Sequence, residues 1–125
     1  LGDTRAVDAV VTRKEAVLRK ARALREVNPM LGHRGCRLGI TYPEIYTMQI
    51  RAVLEAAADC VKAGIEVHPE IMVPQVCTAQ ELNLVREYMT AVQNQVEVTY
   101  GVKVPCRFGT MVEVVRACMR AENLA

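Results

Sequence analysis

The chain has 125 residues with 16 basic and 14 acidic side chains, and 51% of its residues are hydrophobic. These values are typical of one globular domain and exclude a disordered chain. No apolar run approaches the roughly 18 residues of a membrane-spanning helix, and the first residues do not resemble a signal peptide. Because Leu1 stands where an initiator methionine is expected, we expect the chain to be part of a longer protein.

The basic residues are concentrated at the start of the chain. Residues 1–37 contain nine basic and four acidic side chains, whereas residues 38–125 contain seven and ten. Such a concentration is typical of a segment that binds an anionic ligand or nucleic acid. It is also typical of a long helix with a solvated basic face, and we favour this interpretation for most of the individual charges.

The cysteine pattern favours free thiols. The five cysteines are odd in number and no two have C-x-x-C spacing, so neither a disulfide framework nor a zinc site is indicated. Four of them lie among apolar or small residues, where a thiol behaves as a small hydrophobe. A reducing compartment is therefore expected, either the cytoplasm or an organelle interior.

The first half of the chain predicts two long helices joined by a glycine-rich loop. Apolar residues at spacings of three and four predict an amphipathic helix over residues 3–27, begun by a cap at Asp3 or Thr4 and ended by Asn28-Pro29. Residues 28–39 predict a loop. A capping box of Thr41 and Glu44, with Pro43 in the first turn, then begins a helix that ends near Gly64.

The second half predicts strands that alternate with helices. Residues 69–76 and 102–108 are predicted strands, and a final helix is predicted over residues 114–123. Between the strands, a capping box of Thr78 and Glu81 begins a helix that ends at Gly101. Its predicted inward side chains are Leu82, Val85, Met89, Val92 and Val96. This order predicts an α/β fold with parallel strands, but two strands are too few to form a complete one.

Two segments carry residues with recognisable chemistry. Arg34 and Arg37 lie between Gly32, Gly35 and Gly39, and a guanidinium in such a loop matches the oxygens of a phosphate or carboxylate. Pairing of these arginines with helix carboxylates is an equally weighted alternative. The spacing does not fit a Walker-type phosphate loop.

Glu113 follows the second predicted strand and has apolar neighbours in sequence. A carboxylate in such surroundings needs a basic partner or a hard cation such as Mg²⁺, although the first turn of a helix would also favour it. His33 and His68 are interpreted as loop residues, since neither has the spacing of a catalytic dyad or a metal pair.

Three stretches of the sequence resemble one enzyme family. Residues 28–45, N-P-M-L-G-H-R-G-C-R-L-G-I-T-Y-P-E-I, are similar to a segment of pyruvate, phosphate dikinases. Residues 70–74, E-I-M-V-P, and 109–113, G-T-M-V-E, are similar to two later motifs of those enzymes in the same order. Phosphoenolpyruvate synthases and phosphotransferase-system enzymes I share the N-P-x-x-G-x-R core, but the continuation G-C-R-L-G-I-T-Y-P-E favours the dikinases.

The resemblance implies a fold and a site. The fold is a phosphoenolpyruvate/pyruvate-binding (β/α)8 TIM barrel, of which residues 1–125 would form a helix-rich half: a basic helix over 1–27 and βα units over 28–125. Arg34 would bind the phosphoryl or carboxylate end of the substrate, and Glu113 would bind Mg²⁺ and contribute to the substrate site. The barrel would exchange a phosphoryl group with a histidine of a separate swivelling domain. No catalytic residue is expected within this chain, and His33 is not that histidine.

Some residues depart from the family pattern. Val115 stands where the family commonly has proline, and Gln75 and Cys77 stand where it commonly has leucine and glycine. The remaining magnesium ligands, the catalytic cysteine and other substrate arginines are expected outside residues 1–125, so the isolated chain is expected to be inactive.

The resemblance also implies partners. The parent protein is expected to be a homodimer, and open strand edges are expected to favour self-association of this chain. Neither a nucleic-acid nor a membrane partner is expected. Two alternatives remain open: a parent of the synthase or enzyme I type, and a non-enzymatic module that binds an anionic partner through its basic helix.

Overall fold

The structure, a computed structural model, describes residues 4–25, 28 and 31–125. These residues belong to two compact units that divide after Gly32. The elements in chain order are α1 (Thr4–Ala23), α2 (Cys36–Thr41), α3 (Pro43–Lys62), β1 (Glu70–Val73), α4 (Ala79–Tyr100), β2 (Arg107–Thr110), α5 (Val115–Met119) and a 3₁₀ helix (Ala121–Asn123).

Helix α1 is the basic amphipathic helix of the first unit. It ends at Ala23, earlier than the predicted residue 27, and the predicted cap Asp3 and stop residue Pro29 lie outside the described residues. No residue of α1 is buried, and the apolar stripe that includes Val7 and Leu18 is about half exposed or more, at 62% and 48% for these two side chains. In the described part of the chain, no helix combines the length and the apolar character needed to cross a membrane.

The second unit contains a parallel two-stranded sheet covered by helices. Glu70 pairs with Arg107 and Val73 with Thr110, and α4 connects the two strands. The predicted α/β class and the parallel pairing are therefore confirmed. Two strands do not establish a barrel, so this part of the prediction is untested by the fold. The largest fully buried side chains are Leu54, Val76, Val85, Val92, Val96, Val104 and Cys36.

Helix α4 forms as its sequence predicts. The main-chain N–H of Glu81 donates to Oγ1 of Thr78, and Oε2 of Glu81 accepts from the main-chain N–H of Thr78 at 2.9 Å. All five predicted inward residues are buried, and Gly101 ends the helix in the left-handed conformation with φ 69°. Reciprocal capping satisfies donors that the first turn would otherwise leave unpaired, which explains why this boundary was predictable.

We expect Thr78→Ala to lower the free energy of unfolding by about 1 kcal/mol, because the first turn of α4 loses a side-chain acceptor. Thr90→Ala is the matched control, since the Thr90 hydroxyl lies on the exposed side of the same helix and donates to the carbonyl of Arg86. Urea unfolding followed by circular dichroism measures both variants. Equal changes in the two variants would show that the cap does not contribute specifically.

Strand β2 begins later than predicted because the preceding segment is bonded to α4. Val104 donates its main-chain N–H to Oε1 of Glu97, and its carbonyl accepts from Nε2 of Gln93 at 2.8 Å. Pro105 has no N–H to donate to a strand ladder. The strand therefore occupies Arg107–Thr110 rather than residues 102–108, and Gly109 and Thr110 belong to it instead of following it.

The predicted loop over residues 28–39 contains a helix from Cys36 onwards, so this prediction was wrong in its second part. The predicted capping box of Thr41 and Glu44 was also wrong. Thr41 is the last residue of α2 and its hydroxyl donates to the carbonyl of Arg37, while Tyr42 precedes α3 without a side-chain cap. The predicted first-turn position of Pro43 is confirmed.

The other boundaries differ by a few residues. β1 is shorter than the predicted 69–76, because Pro74 lacks an N–H and Gln75 turns the chain with φ 60°. The predicted final helix divides into α5 and the 3₁₀ helix at Arg120, whose φ of −131° is not helical.

Candidate functional site

The loops that follow β1 and β2 meet at the carboxyl end of the sheet. The main-chain N–H of Gln75, two residues after β1, donates to Oε1 of Glu113 at 2.8 Å. Closer to the strands, the N–H of Met111 and the hydroxyl of Thr110 both donate to the carbonyl of Val73. In folds with parallel strands, ligands bind beyond this end of the sheet.

The glycine-bounded arginine segment is attached to the same loop. Cys36 donates its main-chain N–H to the carbonyl of Pro74 at 3.0 Å, and Nη2 of Arg37 donates to Oε1 of Gln75 at 3.2 Å. Gly35 permits this approach, since a Cβ at this position would lie 3.0 Å from the carbonyl oxygen of Pro74. Its φ of 57° and ψ of −135° are also accessible mainly to glycine.

The two residues predicted to bind substrate therefore belong to neighbouring segments. Arg34 immediately precedes Gly35 and is exposed, and Glu113 is exposed on the loop after β2. The hydrogen bonds of Gln75 connect the segment that contains Arg34 to the carboxylate of Glu113. Gln75 has no sequence signal beyond its departure from the family pattern, because its contacts arise from the left-handed turn after Pro74.

The surroundings of Glu113 differ from the prediction. Its apolar sequence neighbours suggested a buried carboxylate with a basic or metal partner, but its side chain is exposed and accepts a main-chain N–H. Met111 and Val112 are themselves exposed, at 38% and 47%. The apolar neighbours do not enclose Glu113, because this segment is a loop before the short helix α5.

The carboxylate of Glu113 could serve as one protein ligand of a magnesium ion. Mg²⁺ prefers oxygen donors, keeps several water ligands and is commonly bound by one or two carboxylates together with substrate oxygens. Among the residues that the structure describes, no group of three histidine, cysteine or acidic side chains is arranged to hold a metal. Glu113 therefore fits a hydrated Mg²⁺ and does not by itself form a complete site.

The two histidines lie in exposed positions with local partners. Nε2 of His33 is 3.0 Å from the hydroxyl of Thr41, and its ring lies 5.7 Å from the ring of Tyr42. His68 is paired with Glu66 at 3.3 Å. These contacts agree with their interpretation as loop residues.

Cys36 is the buried member of the arginine segment. Its side chain has 0% exposure, and burial, together with the nearby Glu81 carboxylate, raises its pKa from 9.0 to about 11. The unfolded state would ionise first as pH rises, so the contribution of this thiol to stability is present below pH 9 and is lost as pH increases toward 11.

We expect iodoacetamide at pH 8 to modify the exposed Cys118 at least about tenfold faster than Cys36, because alkylation requires an accessible thiolate. Peptide mass spectrometry over a time course measures each rate. In urea the difference between the two residues should disappear. Rapid labelling of Cys36 in the folded protein would contradict its burial.

The sequence matches the family described as PEP-utilising enzyme, PEP-binding domain, over residues 4–125. It is 56% identical over 113 residues to pyruvate, phosphate dikinase of Entamoeba histolytica, a match that covers 90% of this chain and 13% of that protein. It is 46% identical over 112 residues to the chloroplastic pyruvate, phosphate dikinase 1 of Oryza sativa subsp. japonica, covering 90% of the chain and 12% of the relative. It is 46% identical over 107 residues to pyruvate, phosphate dikinase of Clostridium symbiosum, covering 85% of the chain and 12% of the relative.

The chain thus spans about an eighth of the length of these relatives. The family match includes α1, the arginine segment and the loop with Glu113. The chain belongs to the PEP-binding domain family of the PEP-utilising enzymes.

Proposed function

We propose that this chain supplies part of the phosphoenolpyruvate/pyruvate site of a pyruvate, phosphate dikinase. The observation that carries the proposal is the connection of the arginine segment and Glu113 through Gln75, beyond the carboxyl ends of two parallel strands. The relatives named pyruvate, phosphate dikinase support this reaction for the whole protein. That reaction converts ATP, phosphate and pyruvate reversibly into AMP, diphosphate and phosphoenolpyruvate through a phosphohistidine.

Arg34 is the residue that we assign to the anionic substrate. Its guanidinium can bind two oxygens of a phosphoryl or carboxylate group and stabilise the charge that is redistributed during phosphoryl transfer. The segment that carries it is held by the hydrogen bond from the main-chain N–H of Cys36 to the carbonyl of Pro74, which restricts the backbone next to Arg34. Preorganised charge of this kind requires little rearrangement during the reaction.

Glu113 is the residue that we assign to Mg²⁺. Its orientation is set by the N–H of Gln75. When bound, Mg²⁺ would neutralise negative charge on the substrate oxygens. The phosphoryl acceptor would be a histidine on the swivelling domain of the whole protein, outside this chain.

We further propose that β1, α4 and β2 form one βαβ unit of a (β/α)8 barrel. Parallel strands are normally covered on both faces, and a barrel closes the strand edges that a two-stranded sheet leaves open. These edges are the basis for expecting self-association of this chain when it is separated from the rest of the protein. A homodimeric parent and a reducing compartment, cytoplasmic or within an organelle, complete the proposal.

The synthase and enzyme I alternatives differ from the dikinase in their phosphoryl partner. We expect the full-length protein to convert phosphoenolpyruvate into pyruvate only with AMP and diphosphate present, and to release ATP and phosphate. A lactate dehydrogenase-coupled assay with product analysis measures this. Turnover that uses AMP and phosphate without diphosphate would instead indicate a synthase, and transfer to a carrier protein without nucleotide would indicate enzyme I. The non-enzymatic alternative is not favoured, because the family match begins at residue 4 and therefore includes the basic helix.

A further inference from the structure

We propose that Gln75 is a positioning residue that holds Arg37 as a second cation for the anionic substrate, an inference that rests on the proposed function. The arginine segment contains two guanidinium groups, and the proposed function uses only that of Arg34. Arg37 is half-buried at the start of α2, and its Nη2 donates to Oε1 of Gln75 at 3.2 Å.

Gln75 is hydrogen-bonded to one positively charged and one negatively charged residue. Its main-chain N–H holds Oε1 of Glu113 at 2.8 Å, while its side-chain oxygen accepts from Arg37. Arg37 and Glu113 are thereby attached to the same residue. An anionic substrate could then contact the guanidinium of Arg37 and a cation bound by Glu113 at the same time. These two contacts would together restrict its orientation.

The backbone of Gln75 supports a role beyond packing. It is the one non-glycine residue with positive φ among those the structure describes, at 60°. This conformation is unfavourable for a long side chain, whereas asparagine and glycine adopt it more readily. A glutamine with positive φ in this chain agrees with a function for its side chain, since strain of this kind is concentrated at functional sites.

The test uses two substitutions in the full-length protein that remove the contact in different ways. Gln75→Met keeps the length but removes the acceptor, and Gln75→Asn keeps the amide but shortens it while relieving the backbone. We expect each to weaken phosphoenolpyruvate binding about tenfold, because a charge-assisted hydrogen bond that orients Arg37 is lost. Isothermal titration calorimetry gives the Kd, and steady-state kinetics should show a similar rise in KM with a change in kcat below about twofold. Gln80→Met, on the exposed start of α4, is the matched control and should leave binding unchanged.

A double-mutant cycle separates positioning from a structural role. We expect Arg37→Met to weaken binding at least as much as Gln75→Met, and the double variant to be no weaker than Arg37→Met alone. Thermal unfolding should show Gln75→Asn to be at least as stable as the unchanged protein. Additive losses, or unchanged binding by Gln75→Asn, would overturn the proposal. Arg34→Ala serves as the reference. If Arg34→Ala and the Gln75 variants all bind phosphoenolpyruvate normally, the proposed function itself fails. If Arg34→Ala binds more weakly while the Gln75 variants bind normally, only the role of Gln75 is refuted.

Discussion

Arg34→Ala in the full-length protein is expected to lower interconversion of phosphoenolpyruvate and pyruvate by about 1000-fold or more, because the substrate loses a preorganised cation during phosphoryl transfer. Phosphorylation of the enzyme by ATP should change less than about threefold, since Arg34 is assigned only to the phosphoenolpyruvate/pyruvate site and the phosphoryl acceptor is a histidine outside this chain. The first half-reaction is measured by pyruvate formation from phosphoenolpyruvate, and the second by transfer of label from ATP to the protein.

Arg107→Ala is the matched control for this experiment. It removes the same charge from the amino end of β2, the opposite end of the sheet, where Arg107 is exposed and pairs with Glu70 at 3.2 Å. An exposed ion pair contributes little to stability, so both half-reactions should be retained. Equal loss of both half-reactions in Arg34→Ala would show that Arg34 supports the structure rather than the substrate.

Local signals in the sequence were sufficient where they coincided with tertiary packing. For α4, the capping box at Thr78, the apolar periodicity and the terminal Gly101 all agree, and the helix forms as predicted. The Thr41 capping box failed although its pattern is the same. α2 already includes Thr41, whose hydroxyl bonds to the carbonyl of Arg37 and is therefore engaged away from the start of α3.

The sequence could not reveal which hydrogen bonds outside the helices and strands determine where β2 and α2 begin. The start of β2 depends on the bonds of Val104 to Glu97 and Gln93, which belong to a helix several residues earlier in the chain. α2 depends on the bond from Cys36 to Pro74, 38 residues later. Neither contact has a signature in local periodicity, because the bonded residues lie 7, 11 and 38 positions apart in the chain.

The sequence names the charged residues of the candidate site but not the residue that connects their segments. Arg34 and Glu113 are named from motifs, and their roles toward substrate and Mg²⁺ stay predictions; the structure brings their two segments together at the carboxyl end of the sheet. Gln75 could not be named, because its importance depends on a left-handed backbone conformation and on its main-chain N–H. A glutamine after a proline gives no indication of either.

Gly35→Ala is the second substitution with a large expected effect. We expect it to lower the free energy of unfolding by about 2–4 kcal/mol, because alanine is strained at this φ and ψ and its Cβ would lie 3.0 Å from the carbonyl oxygen of Pro74. Relief of this contact requires the arginine segment to move away from Pro74 and Gln75. The variant should therefore also bind phosphoenolpyruvate at least about tenfold more weakly in the full-length protein.

Gly101→Ala separates the effect of backbone strain from the effect of a steric contact at the new Cβ. Gly101 has a positive φ of 69°, but a Cβ there would contact nothing within 4 Å, and the residue lies at the end of α4. Only the backbone strain remains, so we expect a loss of about 1 kcal/mol in stability and unchanged phosphoenolpyruvate binding. Chemical unfolding and calorimetric titration of both variants provide the comparison. If Gly35→Ala lost stability but bound substrate normally, close approach of the arginine segment to the loop after β1 would be a requirement of folding alone.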